Sequence, residues 1–179
     1  IFYASSTDGG VIGISKSEER LKVFDYSDPI YHDKVIMVVH KKNENKYKHF
    51  NDLSGKKVGT IRGSTFGLEF DKIKSDFTMI EDNSREDRLF ALLTGEIDGA
   101  IISPGAHAMK AIFETTSNPH LKNSADDFIL LEPAIVKDPN YLAFRKELNM
   151  QPFIKKFNAI LKTSLEDGTI DQIIAKYTN

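Results

Sequence analysis

The chain has 179 residues, with 24 Lys and Arg against 26 Asp and Glu, a formal net charge of −2 and no cysteine. The nearly balanced charge gives no basis for nucleic-acid binding, and the lack of cysteine excludes disulfide and thiolate chemistry. No apolar run reaches the roughly 18 residues that a membrane-spanning helix needs. The five histidines show no pair at metal-ligand spacing, so neither a metal ion nor a cofactor is expected.

The first predicted elements are a short strand and a helix that carries an arginine. Residues 11–14 are apolar and predict a buried strand. Ser17 is a good N-cap for the next helix, because its hydroxyl can accept from unpaired backbone N–H groups; Ser15 could cap instead, with Glu18 closing a capping box. Free N–H groups, hydroxyls and the Arg20 guanidinium can converge on one carboxylate. The alternative is that Arg20 pairs with an acid on the helix surface.

Turns and a long strand surround this helix. The composition of residues 5–10 and 25–29 predicts turns, and Pro29 forbids further helix. Residues 34–40 contain a continuous apolar run, which predicts a strand buried on both faces. Residues 41–48 are polar and charged and predict a linker.

A second junction of strand and helix is predicted near residue 60. Residues 58–61 predict a strand, and the segment Arg62-Gly63-Ser64-Thr65-Phe66-Gly67 opens a predicted helix that runs to about Lys74. The order of strand, glycine, hydroxyls and helix start repeats that of the first junction. As hydroxyl residues at a predicted helix start, Ser64 and Thr65 could be simple helix caps, and capping is compatible with contact to a ligand.

The middle of the chain alternates strands and helices. Residues 78–80 and 96–102 predict strands, and between them Ser84 begins a helix that Gly95 ends. Asp98 is predicted to be a local structural acceptor rather than a ligand contact.

In the rest of the chain, residues 106–114 predict a helix and residues 117–127 predict a polar loop. Residues 128–131 and 141–145 predict strands. Residues 151–177 predict two helices with a break at 167–170. Turns are predicted at residues 132–133 and 138–140. Six apolar residues recur at helical spacing and predict a core face: Phe153, Ile154, Phe157, Ile160, Leu161 and Leu165. Strands that alternate with helices predict an α/β fold with mostly parallel sheets.

Four motifs resemble those of the amino-acid family of bacterial extracytoplasmic solute-binding proteins, known as family 3. The first is a strand, then Ser-x-Ser-x-x-Arg at residues 15–20 and Asp-Tyr-Ser-Asp-Pro-Ile-Tyr at residues 25–31. The others are Asp-Leu-x-Gly-Lys-x-Val-Gly before Gly-Ser-Thr, Leu-x-x-Gly-x-Ile-Asp-x-Ala, and the ending Leu-x-x-Gly-Thr-Ile-Asp-x-Ile-x-x-Lys-Tyr, which begin at residues 52, 92 and 165. The resemblance extends from Asp8 to nearly the end of the chain.

The resemblance implies a two-lobe clamshell of the type II periplasmic-binding-protein kind, with lobe 1 incomplete at its N-terminus. Residues 1–41 then form part of lobe 1, residues 42–140 form lobe 2, and residues 141–179 return to lobe 1. The implied function is extracytoplasmic binding of a small carboxylate or amino-acid-like solute, by a monomer that closes its lobes and delivers the solute to an ABC permease. The implied location is periplasmic or extracellular.

Two other functions stay open beside solute delivery. One is a ligand-sensing domain of a membrane receptor. The other is an enzyme similar to the cyclohexadienyl dehydratases, which needs a positioned general acid or base; Glu132 and Asp82 could reach the cleft. Binding without catalysis is the expected activity.

The resemblance also implies roles for individual residues. Arg20 holds the ligand's α-carboxylate with help from Ser15, and Ser64 and Thr65 contact the ligand from lobe 2. Tyr31 is chosen as the aromatic residue that stacks on the ligand, since small-ligand pockets are often lined by aromatic side chains. The complete predicted ligand-binding set is Gly13, Ser15, Arg20, Tyr31, Arg62, Ser64, Thr65 and Ser103.

The chain departs from the family pattern in two places. The family has further strands and helices of lobe 1 before the point that matches Asp8, where this chain has only seven residues. The family also usually places an aspartate, which pairs with the ligand's α-ammonium, where this chain has Ser103. An unpaired buried ammonium is costly. A carboxylate that lacks the ammonium is therefore a credible ligand, and so is one whose amine meets another acid.

Overall fold

The structure, a computed structural model, describes residues 9–178, with side chains described up to residue 176. Most of the turn predicted over residues 5–10 lies outside the described residues. The chain divides into two compact units. Unit 1 contains the residues up to His32 and those from Pro139 onward, and unit 2 is Asp33–Asp138. The predicted lobe boundaries, after residues 41 and 140, stay a prediction.

Unit 1 is built from short strands and helices. Its elements are β1 (Val11–Ile14), α1 (Glu18–Val23), β2 (Phe24–Tyr26), the end of β7 (Phe128–Arg145), α6 (Gln151–Glu166) and α7 (Thr169–Thr178). Both β1 and β2 pair antiparallel with the end of β7, so that Val11 and Tyr26 each lie opposite Ala143.

Unit 2 contains a mixed sheet with the strand order β3-β6-β4-β5. Its elements are most of β3 (Tyr31–His40), then β4 (Lys57–Ile61), α2 (Leu68–Asp71), β5 (Thr78–Asp82), α3 (Arg85–Thr94), β6 (Gly99–Ile102), α4 (Gly105–Thr115), α5 (Pro119–Lys122) and the beginning of β7. The strand β4 pairs parallel with β5 and β6, because helices return the chain between these strands. The strand β3 pairs antiparallel with β6. The prediction of mostly parallel sheets was therefore wrong, although the α/β class is confirmed.

The strand β3 is buried on both faces, as its apolar run predicted. Val35, Met37 and Val39 pack into one hydrophobic cluster, and Ile36 and Val38 pack into another. Successive side chains of a strand point to opposite faces, so this one strand supplies the core on both sides of the unit 2 sheet.

The predicted helix after Arg62 was wrong in its start and its length. Ser64 N donates to the Ile61 carbonyl oxygen at 3.2 Å, which forms a turn in place of a helix start. Gly63 and Gly67 both have positive φ angles, of 69° and 87°, and a right-handed helix cannot pass through that region. The regular helix α2 begins only at Leu68 and has four residues.

The turns predicted inside residues 128–145 were also wrong, since β7 is one strand of 18 residues. Glu132-Pro133 and Asp138-Pro139 lie within it. Proline and the residue before it both favour extended backbone, so these pairs break a helix but are compatible with a strand. The sequence prediction assigned a turn at each of these prolines, although proline is also compatible with extended strand backbone.

Two predicted loops contain buried residues and regular turns. The linker predicted over residues 41–48 begins with a 3-10 helix, Lys41–Asn43, and its Tyr47 side chain is only 1% exposed. The polar loop predicted over residues 117–127 contains α5, whose Leu121 is fully buried. One apolar residue in each polar segment was enough to anchor it to the core of unit 2.

The core face predicted for α6 is only partly buried. Ile154 and Leu161 are buried, and Phe153 packs edge-on against Phe144 with ring centroids 5.5 Å apart. Ile160 is 68% exposed and Leu165 is 44% exposed. The helical spacing identified an apolar stripe correctly, but the described part of unit 1 covers only one edge of it.

Candidate ligand-binding residues

The junction of β1 and α1 in unit 1 holds Arg20 in a defined orientation. Ser17 is the N-cap of α1, as predicted, and its hydroxyl accepts from the Arg20 backbone N–H at 3.3 Å. The guanidinium Nη1 of Arg20 donates to the carbonyl oxygen of Ser15 at 3.0 Å. Both serines are buried. The alternative with Ser15 as N-cap was wrong, because Ser15 binds the arginine through its carbonyl group instead.

Within the part of the chain that the structure describes, the Arg20 guanidinium has one hydrogen-bond acceptor, the Ser15 carbonyl oxygen. Among residues 9–178, no carboxylate oxygen lies within 4.0 Å of its guanidinium, so the alternative of a surface ion pair is not observed. A guanidinium has five N–H donors in a rigid fork, and the bond to Ser15 uses only one. The remaining donors match the geometry of a carboxylate.

Gly13 and Tyr31 lie at the same junction. Gly13 has a φ angle of +76°, and a Cβ atom built on it would lie 3.0 Å from the Tyr31 hydroxyl oxygen. A side chain at residue 13 would therefore both strain the backbone and press on Tyr31. The structure thus places the four predicted residues of unit 1 in two contacts, one between Arg20 and Ser15 and one between Gly13 and Tyr31.

A lysine between two tyrosines was missed by the sequence analysis. The Lys16 ammonium lies 4.1 Å from the ring centroid of Tyr141 and 5.3 Å from that of Tyr26. Burial lowers the pKa of Lys16, and nearby Asp28 raises it. Burial raises the pKa of Tyr26, and the charge of Arg20 lowers it. Tyr141 is far away in sequence, so no spacing could have indicated this contact.

In unit 2, the predicted residues follow the carboxyl ends of neighbouring strands. Ile61 pairs with Asp82 in the parallel register of β4 and β5, and β6 ends at Ile102 beside β4. Because parallel strands end at the same edge of a sheet, Arg62 and Ser103 lie at one edge, here called the β4–β5–β6 edge.

The hydroxyl groups of this edge have local partners. Ser64 Oγ donates to the Ile61 carbonyl oxygen at 2.8 Å and lies 3.5 Å from Thr60 Oγ1. Thr65 Oγ1 donates to Asp71 Oδ2 at 3.4 Å. Neither residue caps a helix, because α2 begins further on, so the alternative of simple helix caps was wrong.

Two arginines of α3 also bind at the β4–β5–β6 edge and were missed. Arg88 donates from Nε and Nη2 to the two carboxylate oxygens of Asp82, at 2.7 and 2.8 Å, and from Nη1 to the Ile101 carbonyl oxygen. Its side chain is 2% exposed. Arg85 donates from Nη2 to the Ser103 carbonyl oxygen at 2.8 Å. Arg88 could have been suspected, because it occupies a core-facing helical position with Leu92, four residues later.

The structure also gives contacts for the three acidic residues that the sequence analysis names. Asp98 accepts from the Tyr47 hydroxyl at 3.1 Å and from Lys57 N at 3.2 Å, which confirms its role as a local structural acceptor. Asp82 uses both carboxylate oxygens on Arg88. Glu132 is exposed, and its carbonyl oxygen lies 3.1 Å from His49 Nδ1.

The fold is that of the type II periplasmic binding proteins, and it places the predicted residues at one strand-to-helix junction and one sheet edge. The chain belongs to the bacterial extracellular solute-binding proteins, family 3, whose family model matches residues 4–179. No helix among the described residues is both long and apolar enough to cross a membrane.

Three proteins of known name are similar to this chain in sequence or in structure. ABC transporter arginine-binding protein 1 of Escherichia coli strain K12 is 24% identical over 172 residues, which are 93% of this chain and 64% of that protein. An ancestral arginine-binding protein bound to arginine is 26% identical, with a TM-score of 0.67 and coverage of 93% and 70%. The GluR0 ligand-binding core from Nostoc punctiforme with L-glutamate is 21% identical, with a TM-score of 0.65 and the same coverage. The chain thus spans less than two thirds of its curated relative.

Proposed function

We propose that this protein binds a small carboxylate or amino-acid-like solute outside the cytoplasm and delivers it to an ABC importer. The observation that carries the proposal is the orientation of Arg20 on the Ser15 carbonyl, with its other donors free of any carboxylate partner in the described residues. Membership of a solute-binding family supports it. So does the name of the E. coli relative, an ABC transporter arginine-binding protein.

Arg20 is the proposed anchor for the ligand's carboxylate. A side chain that is already held by one hydrogen bond loses less freedom on binding, and this preorganisation favours affinity. Two parallel N–H···O bonds from one guanidinium also fix the direction of the carboxylate. Ser15 supports the arginine through its carbonyl group, and at residue 13 the positive φ angle and the nearby Tyr31 hydroxyl both disfavour a side chain.

Arg62, Ser64, Thr65 and Ser103 are the proposed ligand contacts of unit 2. Arg62 is 60% exposed and lies 3.5 Å from Glu81, at a distance and exposure where an ion pair contributes little. Its guanidinium can therefore exchange Glu81 for a ligand at small cost. The Ser64 and Thr65 hydroxyls already donate to Ile61 and Asp71 and can accept a further hydrogen bond, whereas the Ser103 hydroxyl can donate or accept.

The proposed activity is binding without turnover, by a monomer. The family is one of solute-binding proteins. The nominated acid Asp82 gives both oxygens to a buried arginine, which leaves it poorly suited to proton transfer. A dehydratase-like activity predicts consumption of prephenate or arogenate, which chromatography would detect.

A thermal-shift screen of the purified chain tests the proposal. The compounds are the twenty amino acids and small carboxylates without an amine. A ligand at 100 times its dissociation constant should add about 2.7 kcal/mol to the free energy of unfolding. Arg20→Gln should abolish the shift, whereas Lys22→Gln, which removes an exposed positive charge from the same helix, should keep it. If no compound shifts the transition, or if Arg20→Gln responds like the parent, the proposal is wrong.

A further inference from the structure

The connection between β1 and α1 consists of three residues without regular secondary structure, Ser15, Lys16 and Ser17. Both serines hold Arg20. The Ser15 carbonyl oxygen accepts from the arginine Nη1 at 3.0 Å, and the Ser17 hydroxyl accepts from the arginine backbone N–H at 3.3 Å. The conformation of this connection therefore determines where the guanidinium lies.

The side chain of Lys16, between the two serines, contacts two tyrosine rings from other strands of unit 1. Its Nζ lies 4.1 Å from the ring centroid of Tyr141 on β7 and 5.3 Å from that of Tyr26 on β2. The two rings pack edge to face with their centroids 5.6 Å apart. Because the negative face of an aromatic ring attracts an ammonium group, this contact attaches the middle of the connection to two neighbouring strands.

The two rings, and not an ion pair, hold the Lys16 ammonium in the described part of the chain. Among the side chains that the structure describes, no carboxylate oxygen lies within 4.0 Å of its Nζ. Burial lowers the pKa of Lys16, and Asp28 raises it by less. A cation–π contact is stronger where water is partly excluded, so the half-buried position of Lys16 favours this contact.

We propose that Lys16 is a positioning residue for ligand binding: its contact with the two tyrosine rings fixes the connection that orients Arg20. Lys16 acts through the arginine and does not itself contact the ligand. Without the contact, the connection would have to be ordered when the ligand binds, and ordering costs affinity. The inference rests on the proposed function, because Arg20 is the proposed anchor for the carboxylate.

Isothermal titration calorimetry on the full chain tests the inference. The probe is whichever of the twenty amino acids and amine-free carboxylates in the thermal-shift screen binds the parent most tightly. Lys16→Met keeps the length of the side chain but removes its charge, and should weaken binding about three- to tenfold, as expected for the loss of one partly buried cation–π contact. Lys16→Arg keeps a cation that can stack on the rings and should restore most of the affinity.

Two other lysines provide matched controls. Lys22→Met removes an equal charge from an exposed position of α1, and so tests whether charge alone explains the loss. Lys46→Met removes a similar contact in unit 2, where the lysine Nζ lies 4.8 Å from the ring centroid of Tyr47. Both variants should bind the probe as the parent does. A loss in Lys22→Met equal to that in Lys16→Met overturns the inference.

The Arg20→Lys background separates positioning from direct contact. Lysine cannot present the oriented fork of arginine, so Lys16→Met should weaken binding less than twofold in this background. A loss as large as in the parent would mean that the two residues act independently, as expected if Lys16 contacts the ligand itself. That result overturns the inference.

NMR of the arginine guanidinium groups gives a second measurement, on the protein without ligand. The bond from Nη1 to the Ser15 carbonyl oxygen should slow rotation of the Arg20 guanidinium in the parent, and Lys16→Met should make this rotation faster. Equal rotation rates, or equal affinity of Lys16→Met and the parent, overturn the inference and leave the proposed function standing. If no probe binds the parent, the proposed function fails and the inference fails with it.

Discussion

Arg20 and Ser15 are joined by a hydrogen bond from the arginine Nη1 to the serine carbonyl oxygen, 3.0 Å away. Ser15 is only 8% exposed, so the acceptor belongs to a buried part of the backbone. A buried acceptor has few alternative partners, and it holds the guanidinium in one plane. We expect the contact to orient Arg20 for a ligand carboxylate, and a residue that keeps a donor for the Ser15 carbonyl to keep its contribution to stability.

Arg20→Lys separates the charge of this residue from its shape. Lysine keeps the positive charge but cannot form two parallel bonds to a carboxylate while it also binds the Ser15 carbonyl. Binding of the best carboxylate in the screen should weaken about 10- to 100-fold, the range expected for a lost charge-assisted hydrogen bond. The melting temperature without ligand should stay close to that of the parent. Unchanged affinity by calorimetry would show that Arg20 does not contact the carboxylate.

The Ser17 N-cap gives a prediction about stability. Ser17→Ala leaves the backbone N–H of Arg20 without its hydroxyl acceptor, which should lower the free energy of unfolding by about 1 kcal/mol. Ser17→Asp keeps an oxygen at the cap and should restore most of the loss. Urea titrations of the three proteins measure the difference. A loss of equal size in both variants would mean that buried packing at residue 17, and not capping, is responsible.

The buried pair of Arg88 and Asp82 gives a prediction in which a second substitution recovers most of the stability that the first one removes. Arg88→Met leaves a carboxylate without its partner at a position that is 14% exposed, and should cost about 3–5 kcal/mol. The double variant Arg88→Met with Asp82→Leu removes both charges and should recover most of this loss. Chemical denaturation of the parent, of Arg88→Met, of Asp82→Leu and of the double variant gives the four values of this double-mutant cycle. If the double variant is no more stable than Arg88→Met, the pair stabilises the fold through more than mutual charge compensation.

The sequence predicted those parts of the fold whose signals are local. Ser17 and Ser84 were identified as N-caps and Gly95 as a helix end, because each signal lies within a few residues of the element that it begins or ends. The buried strand through residues 35–39 was predictable because its whole signal is one apolar run. The prediction was wrong where residues far apart in sequence determine the local structure. Residues 41–48 were predicted to be a linker, for example, but Tyr47 packs into the core of unit 2.

The candidate site was predictable to a similar extent. Arg20 and Ser15 follow from a motif of six residues, and the structure places them in contact. The contacts of Lys16 with Tyr141 and of Arg85 with Ser103 join residues that only the tertiary fold brings together. Arg85 in particular looked like an ordinary residue of an exposed helix turn. That the residues of both units contact one ligand stays a prediction.

His40 gives the protein a predictable dependence on pH. Its Nδ1 accepts from the Lys42 backbone N–H at 3.2 Å at the start of a 3-10 helix, which requires a neutral ring nitrogen. Burial, and next the charge of Lys42, lower the pKa of His40 below its ordinary value of 6.5, while Asp127 opposes the shift. The unfolded chain therefore binds the proton more readily than the folded chain between the two pKa values.

The contribution of His40 to the free energy of unfolding should consequently be largest above pH 6.5, fall as the pH drops through 6.5, and level off below the folded pKa of His40. His40→Asn keeps an acceptor at the cap but does not titrate, so it should lose the part of this decline that His40 causes. His107→Gln, which removes an exposed histidine of α4, should retain it. Urea titrations from pH 7.5 to about pH 5 measure the slopes, since His groups titrate in this range. A slope in His40→Asn as steep as that of the parent would assign the pH dependence to other groups.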